Sequence, residues 1–246
     1  MAVQKGSRPE LQLMGGFELR CAGEVVPLPL GAQRVLAFLA LHDAPLMRSH
    51  IGETLWSESH LRRAHANLRS AVWRARKMNG ELLDASGNRL RLSSAVRVDV
   101  REGRALARRL LDRSVSCAPD DLGPDAVAAL SVVLLPEWLD DWLLLERDRW
   151  NQVRVHALEA LGERQLAVGD YGQAVEAALA AVSVEPLRES AHRLLVRVHA
   201  AEGNWGEALS QYHRYRRLLH RELRIAPTEQ MEKLIHELAP RLLTRS

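Results

Sequence analysis

Residues 59–79 read SHLRRAHANLRSAVWRARKMN, and they hold Arg62, Arg63, Arg69, Arg74, Arg76 and Lys77 without one Asp or Glu. With about 100° per residue and Leu68 at the origin, Leu61, Ala64, Leu68, Val72 and Ala75 gather near zero. They predict the core face of a helix running from about His60 to Met78. Arg63, Ala66, Asn67, Ser70, Trp73, Arg74 and Lys77 take the far side, at roughly 140° to 260°. Arg62, Arg69 and Arg76 form a flank at roughly 80–120°. Small and amide side chains (Ala66, Asn67, Ser70) let such a face approach base edges, where Arg can bond guanine bidentately and Asn can do the same to adenine. The flanking cations suit phosphates, which fix register without reading sequence. Trp73 can pack on sugars or a thymine methyl, or fold down onto a neighbouring hairpin. Charge alone fits a solvated basic face equally well, so the position of the helix in the chain decides.

Working outward, Leu11, Leu13, Phe17 and Leu19 surround Gly15-Gly16, and Val25, Val26 and Leu28 follow Ala22-Gly23, which reads as a short antiparallel sheet. Val35, Leu36, Leu39 and Ala40 recur at helical spacing between Ala32 and His42. After Pro45 a second short helix is expected from Arg48 to Leu55. Beyond the basic helix, Leu82-Leu83, the turn Ala85-Ser86-Gly87-Asn88, and Leu90 and Leu92 at alternate positions predict a β-hairpin. Strands, three helices and a hairpin are the order of a winged helix-turn-helix, whose third helix enters the major groove while the hairpin lies on the backbone. In that frame Arg89 and Arg91 flank the tip of the wing. Arg48 opens the second helix, whose N-terminus presents backbone N–H groups to the DNA backbone.

The remainder of the chain differs. After Val100 everything reads as helix, broken at 116–121, Pro136, Gly169-Asp170, Pro186, Gly203-Asn204 and Pro227. AVGDYGQA at 167–174 returns as AEGNWGEA at 201–208, a spacing of 34 residues. That is the tetratricopeptide period, with Gly at a helix end, an aromatic packed into the helix pair and small Ala where helices touch. Two repeats fall short of the three or so that stand alone, so the helices around 101–150 are expected to complete the solenoid. The fold class expected is therefore mainly α: a winged-helix domain (α+β) over 1–100, then an all-α tetratricopeptide-like domain over 101–246.

Charge follows the same division. The whole chain of 246 residues is only +3, but residues 1–101 carry 15 Lys/Arg against 9 Asp/Glu, while 102–246 carry 19 against 22. A basic first part suits a polyanion. Two cysteines, Cys21 and Cys117, exclude a disulfide scaffold and a CxxC metal site. The polar N-terminus lacks the apolar core of a signal peptide, and Val127–Leu145 is interrupted by Pro136, Glu137, Asp140 and Asp141. A cytoplasmic protein with no membrane association is expected.

The chain resembles the Streptomyces antibiotic regulatory proteins, which join an OmpR-type winged helix to a bacterial transcriptional activator domain. The resemblance runs from about Leu11 to Ile235. It rests on NLRSAVWRARK at 67–77, on LLPEWLDDW at 134–142 continued by Glu146-Arg147 and LEAL at 158–161, on Glu185-Pro186 with Glu189, Ala191 and His192, and on the stretch from Leu218 to Pro227. It implies a transcriptional activator, most naturally of a secondary-metabolite (antibiotic biosynthesis) gene cluster. It implies side-by-side protomers, a homodimer on DNA, binding direct repeats in double-stranded DNA near the promoter −35 element and recruiting RNA polymerase holoenzyme. In OmpR-type folds the loop between the second and third helices contacts the polymerase. That loop is here Trp56-Ser57-Glu58-Ser59, shorter than the family's, and Gly87-Asn88 stands where the family's wing usually has Gly-Tyr. The length matches the small two-domain members, and no G-x-x-x-x-G-K-[ST] loop adds an ATPase module.

No enzyme is expected: H-E-x-x-H and G-x-S-x-G are both missing from the sequence. His60/His65, His192/His199 and His213/His220 are not spaced as a zinc-binding helical pair, so neither cofactor nor metal is expected. Asp120-Asp121 and Asp140-Asp141 read as a helix start and a turn. Trp138, Trp142, Glu146 and Trp150 recur every four residues and read as packing between the leading helices and the first repeat. The rival from another class is a tetratricopeptide adaptor for peptides, its winged helix serving only for protein docking. A docking helix has no reason to exclude acids, which argues against it.

Overall fold

The computed structural model describes residues 8–112, 114 and 117–243. The chain is mainly helical with two small N-terminal sheets, and it divides into two compact units. The first runs to Gly103 and takes in Val132–Trp150; the second comprises Arg104–Ser131 and the chain from Asn151 on.

In the first unit, β1 (Glu10–Gln12), β2 (Glu18–Cys21) and β3 (Glu24–Val25) form the expected antiparallel meander. They are followed by α1 (Leu30–Ala40), β4 (Leu46–Met47), α2 (Arg48–Leu55), α3 (Leu61–Met78), β5 (Leu83–Ser86), β6 (Arg89–Leu92) and β7 (Arg97–Val98). β7 adds to β1 in parallel, Leu11 opposite Val98, giving the order β3-β2-β1-β7. The second sheet has the order β4-β6-β5. Helix α1 starts two residues before the Ala32 expected from its pattern, directly after Pro29, whose extended backbone fixes the entry. Its Val35, Leu36 and Leu39 are buried among Ile51, Leu55, Leu68 and Leu90 of the same unit's core. The Asp99 carboxylate accepts from the N–H groups of Leu13 (2.9 Å) and Met14 (2.8 Å), tying the end of β1 to the start of α4 (Asp99–Leu111).

Segment 132–150 covers this unit. Gly15 N–H donates to Val133 O at 2.8 Å, Leu135 N–H to Leu13 O at 2.9 Å, and Met14 bridges Leu134. Leu135 sits at φ +43°, a left-handed conformation that a branched side chain disfavours. The Arg147 guanidinium holds that turn by donating to the carbonyls of Leu134 (2.9 Å), Leu135 and Trp138 (2.7 Å). The tryptophan series packs differently from the expectation of a seam with the first repeat. Trp138 stacks on Phe17 at 6.0 Å, Trp142 meets Phe38 edge-on at 5.2 Å, and Trp150 is fully buried against Gly103 and Met14. Trp138 also precedes its helix, because α6 (Asp141–Val168) begins only at Asp141.

The second unit holds the later part of α4, a short 3-10 turn at Pro119–Leu122, α5 (Pro124–Ser131), the later part of α6, α7 (Tyr171–Val184), α8 (Glu189–Glu202), α9 (Trp205–Leu223) and α10 (Glu229–Leu243). The 34-residue repeat appears as two helix pairs, α6/α7 and α8/α9, with equivalent joints. Gly169 and Gly203 both adopt positive φ, at +81° and +91°. Asp170 N–H donates to Gln165 O at 3.0 Å and Asn204 N–H to His199 O at 2.8 Å, the same closing bond in each pair. Ala174 and Ala208 are buried where the helices touch, and the paired aromatics Tyr171 and Trp205 pack against the two cores.

Between α8 and α9, buried His192 stacks on Tyr215 with ring centroids 4.2 Å apart. Its Nε2 lies 2.9 Å from Pro186 O, an acceptor, so that nitrogen carries the proton; Nδ1 then accepts from Gln211 Nε2 at 2.7 Å. Burial pushes the imidazole below its ordinary 6.5, outweighing Pro186 O and the carboxylate of Glu189. The unfolded chain therefore takes up this proton first as pH falls. The stabilisation is full above about pH 6.5 and is lost below it. The thermal midpoint of the wild-type chain is expected to fall more steeply from pH 7.5 to 5.5 than that of His192→Gln. Parallel curves would remove His192 as the cause.

Candidate nucleic-acid interface

Helix α3 buries Ala64, Leu68, Ala71, Val72 and Ala75. Four of these are the residues the helical wheel selects; Leu61 is the exception. It sits in the first turn, past the edge of the packed face, and is 60% exposed, while Ala71 takes part in the core instead. The side chains of Arg62, Arg63, Arg69, Ser70, Trp73, Arg74, Arg76 and Lys77 are all exposed, and Asn67 is half-buried. No carboxylate pairs with Arg62, Arg63, Arg69 or Arg74 among the described residues. The acid-free sequence of the helix thus becomes an uncompensated cationic face.

Asn67, Ser70 and Arg74 line a shallow cleft of about 270 Å³ with Pro29, Gly31, Ala32 and Trp56. Trp73 stays in solvent, 60% exposed, rather than folding onto the hairpin, and the Lys77 ammonium lies 5.2 Å from its ring centroid. Arg76 leans the other way, its Nη2 donating to Leu83 O of β5 at 3.4 Å. The face therefore divides: Arg63, Asn67, Ser70 and Arg74 on the open side, and Arg76 against the hairpin.

The hairpin closes with Ser86 opposite Arg89 around a two-residue turn, and Gly87 at φ +55° in its first position gives the type II′ geometry that suits twisted strands. The Arg89 guanidinium donates to Pro45 O at 3.0 Å, which holds it close to the strand before α2. Arg91 pairs with Asp84 at 2.9 Å. Arg48 is half-buried, and its backbone N–H donates to Asn88 O at 2.9 Å. The first N–H of α2 is thus taken by the wing tip and not left for a phosphate.

In the 56–59 loop, Ser57 and Glu58 are exposed, but Trp56 is half-buried over α1, 3.6 Å from where a Cβ on Gly31 would stand. This loop shares a cleft of about 470 Å³ with Leu30, Arg34, Leu139 and Asp140. Two features there escaped sequence reasoning. Arg34, which follows Gln33 on the mostly apolar α1, pairs with Asp140, and Leu139 is 91% exposed beside them. Arg34 interrupts a core helix, a signal that marks a partner without naming it.

The groove of about 750 Å³ in the second unit is lined by His156, Glu159, Glu163, Arg164, Arg193 and Arg197, among others. Its charges are met internally: Glu163 by Arg197, Glu159 by Arg188 at 2.8 Å, and Arg193 by Glu189 at 3.2 Å. Leu110, Leu111, Ala160, Ala167 and Leu194 complete the lining, so the groove is part charged and part apolar. Among the described residues no cluster of three or more His, Cys, Asp or Glu side chains is placed to hold a metal, and no helix is long and apolar enough to cross a membrane.

Residues 98–239 match the family model described as the bacterial transcriptional activator domain. No curated protein matches the chain. Among solved structures, the fold is similar to that of Mycobacterium tuberculosis EmbR in complex with a low affinity phosphopeptide, with a TM-score of 0.74 at 22% identity. The match covers 95% of this chain and 65% of that one, so this chain spans somewhat under two thirds of its structural neighbour.

Proposed function

The chain belongs to the bacterial transcriptional activator domain family, and from that premise we propose that it is a sequence-specific DNA-binding activator of transcription. The family resemblance read from the sequence is borne out by this match and by the shared fold. The observation that carries the DNA reading is the exposed face of α3, where Arg62, Arg63, Arg69 and Arg74 stand without carboxylate partners among the described residues. On this reading Arg63, Asn67, Ser70 and Arg74 meet base edges, with Trp73 beside them on sugars or a thymine methyl. Arg62, Arg69, Arg76 and Lys77 meet phosphates. Arg48 and Arg89 carry the backbone contact of the wing side, through their side chains.

The operator would be a direct repeat near a −35 element, occupied by two side-by-side protomers. RNA polymerase would be met at the 56–59 loop, where Ser57 and Glu58 are presented to solvent, and the regulated genes would be those of a secondary-metabolite cluster in the cytoplasm. The test is transcription in vitro from a promoter bearing the selected operator. The wild-type chain should stimulate it. Ser57→Ala with Glu58→Ala should keep DNA binding and lose stimulation. Full stimulation by that variant would remove the loop from the polymerase contact.

A further inference from the structure

Net charge in the second part of the chain is acidic, yet the end of α9 runs against it. Between His213 and Arg224 stand Arg214, Arg216, Arg217, Arg221 and Arg224, two histidines and a single acid, Glu222. All five arginines are exposed. At about 100° per residue, Arg214, Arg217 and Arg221 fall within roughly 60° of one another, forming one stripe, and Arg224, just past the helix, borders the same cleft as Arg217 and Arg221. From Arg214 to Arg221 the stripe extends about 10 Å along the helix axis, the axial span of about three phosphates of one DNA strand.

Helical chemistry accounts for part of this cluster. His220 and Arg221 occupy the last turn, where cations offset the helix dipole. That does not extend to Arg214, Arg216 and Arg217 further back, nor to Arg224 beyond the end. Arg224 is the more informative, since it sits at φ +59°, a left-handed cap that glycine adopts freely and a side chain does not. Charge is placed there against the preference of the backbone. Local partners take some of the arginines: Glu207 lies 3.6 Å from Arg214, Glu222 lies 2.7 Å from Arg221, and Arg216 sits over the Tyr212 ring at 5.7 Å. Arg217 and Arg224 have no carboxylate partner among the described residues. Both border a cleft of about 780 Å³ that also touches His220, Arg221 and Ile225.

We propose that this arginine stripe is a second nucleic-acid contact, gripping the phosphate backbone of duplex DNA without reading its sequence. The inference rests on the DNA-binding reading of α3 and adds a surface on the helical unit. All five cations are arginine and none lysine, which suits bidentate bonds to phosphate oxygens presented in a row. Exposed Leu223 and Ile225 at the end of the stripe would also serve an acidic protein segment, so the test separates the two occupants.

The full chain carrying Arg217→Ala and Arg224→Gly is titrated with random-sequence and selected duplexes over a range of salt. Glycine suits the left-handed cap and Arg217 is exposed, so the thermal midpoint should hold or rise. The slope of log K against log salt is expected to fall in magnitude by about 1.8 for every sequence, at about 0.9 per phosphate contact, with the ranking of sequences unchanged. A companion variant, Arg63→Ala with Arg74→Ala, should lose that ranking instead. If the stripe variant keeps the wild-type slope while the α3 variant loses its preference, the stripe does not touch DNA. Loss of binding to a polyglutamate peptide in the stripe variant, with DNA binding intact, would reassign it to an acidic protein. If the wild-type chain binds no duplex at low salt, the reading of α3 itself falls.

Discussion

Trp150→Ala is expected to destabilise the first unit by about 3–5 kcal/mol, the range for removing a fully buried large aromatic. The ring is 0% exposed, and its Nε1 donates to Val132 O at 3.2 Å, so truncation would open a void and remove that bond. The surroundings have little slack for collapse: a Cβ added at Gly103 would stand 2.9 Å from this ring and 2.6 Å from Met14 Cε. Urea unfolding followed by circular dichroism measures the loss; a change below about 1 kcal/mol would mean that the site closes over. The same geometry bears on fragments. A fragment ending at Val100 gives up Trp150, the Leu134 bridge and the three carbonyl contacts of Arg147. It is expected to unfold well before the intact chain.

Arg74→Ala should relax base preference at one position of the operator, at a cost of about 1–3 kcal/mol for the preferred base pair, roughly 5- to 150-fold in affinity. Arg74 is exposed beside Asn67 and Ser70 on the open side of α3, and no carboxylate competes for it among the described residues. Little change in stability is expected. The check is a panel of operators varied one base pair at a time. Equal weakening across the panel would make Arg74 a phosphate contact and move base reading to its neighbours.

Local patterning carried much of this in advance. Helix α2 has the predicted bounds, the acid-free face of α3 reads directly off residues 59–79, and Gly169 and Gly203 mark the repeat joints because a left-handed helix cap favours glycine. What escaped is long-range. Leu11 pairs in parallel with Val98, and Leu134 meets Met14, contacts between residues far apart in sequence with no periodicity to announce them. For that reason segment 132–150, helical and apolar in pattern, reads as part of the repeats yet packs on Phe17, Phe38 and Met14. At the candidate interface, residue type showed which side chains are cationic but not their commitments. The bonds of Arg76 to Leu83 O, of Arg89 to Pro45 O and of the Arg48 N–H to Asn88 O all depend on where the hairpin folds back.

The most direct test of the claim that α3 reads DNA is selection of bound duplexes from a random-sequence pool, followed by sequencing, at two salt concentrations. The account predicts enrichment of a direct repeat spaced by about one helical turn, about 10–10.5 bp, with affinity falling steeply as salt rises. Absence of binding even at low salt would contradict it and leave the helical unit as the working part of the molecule.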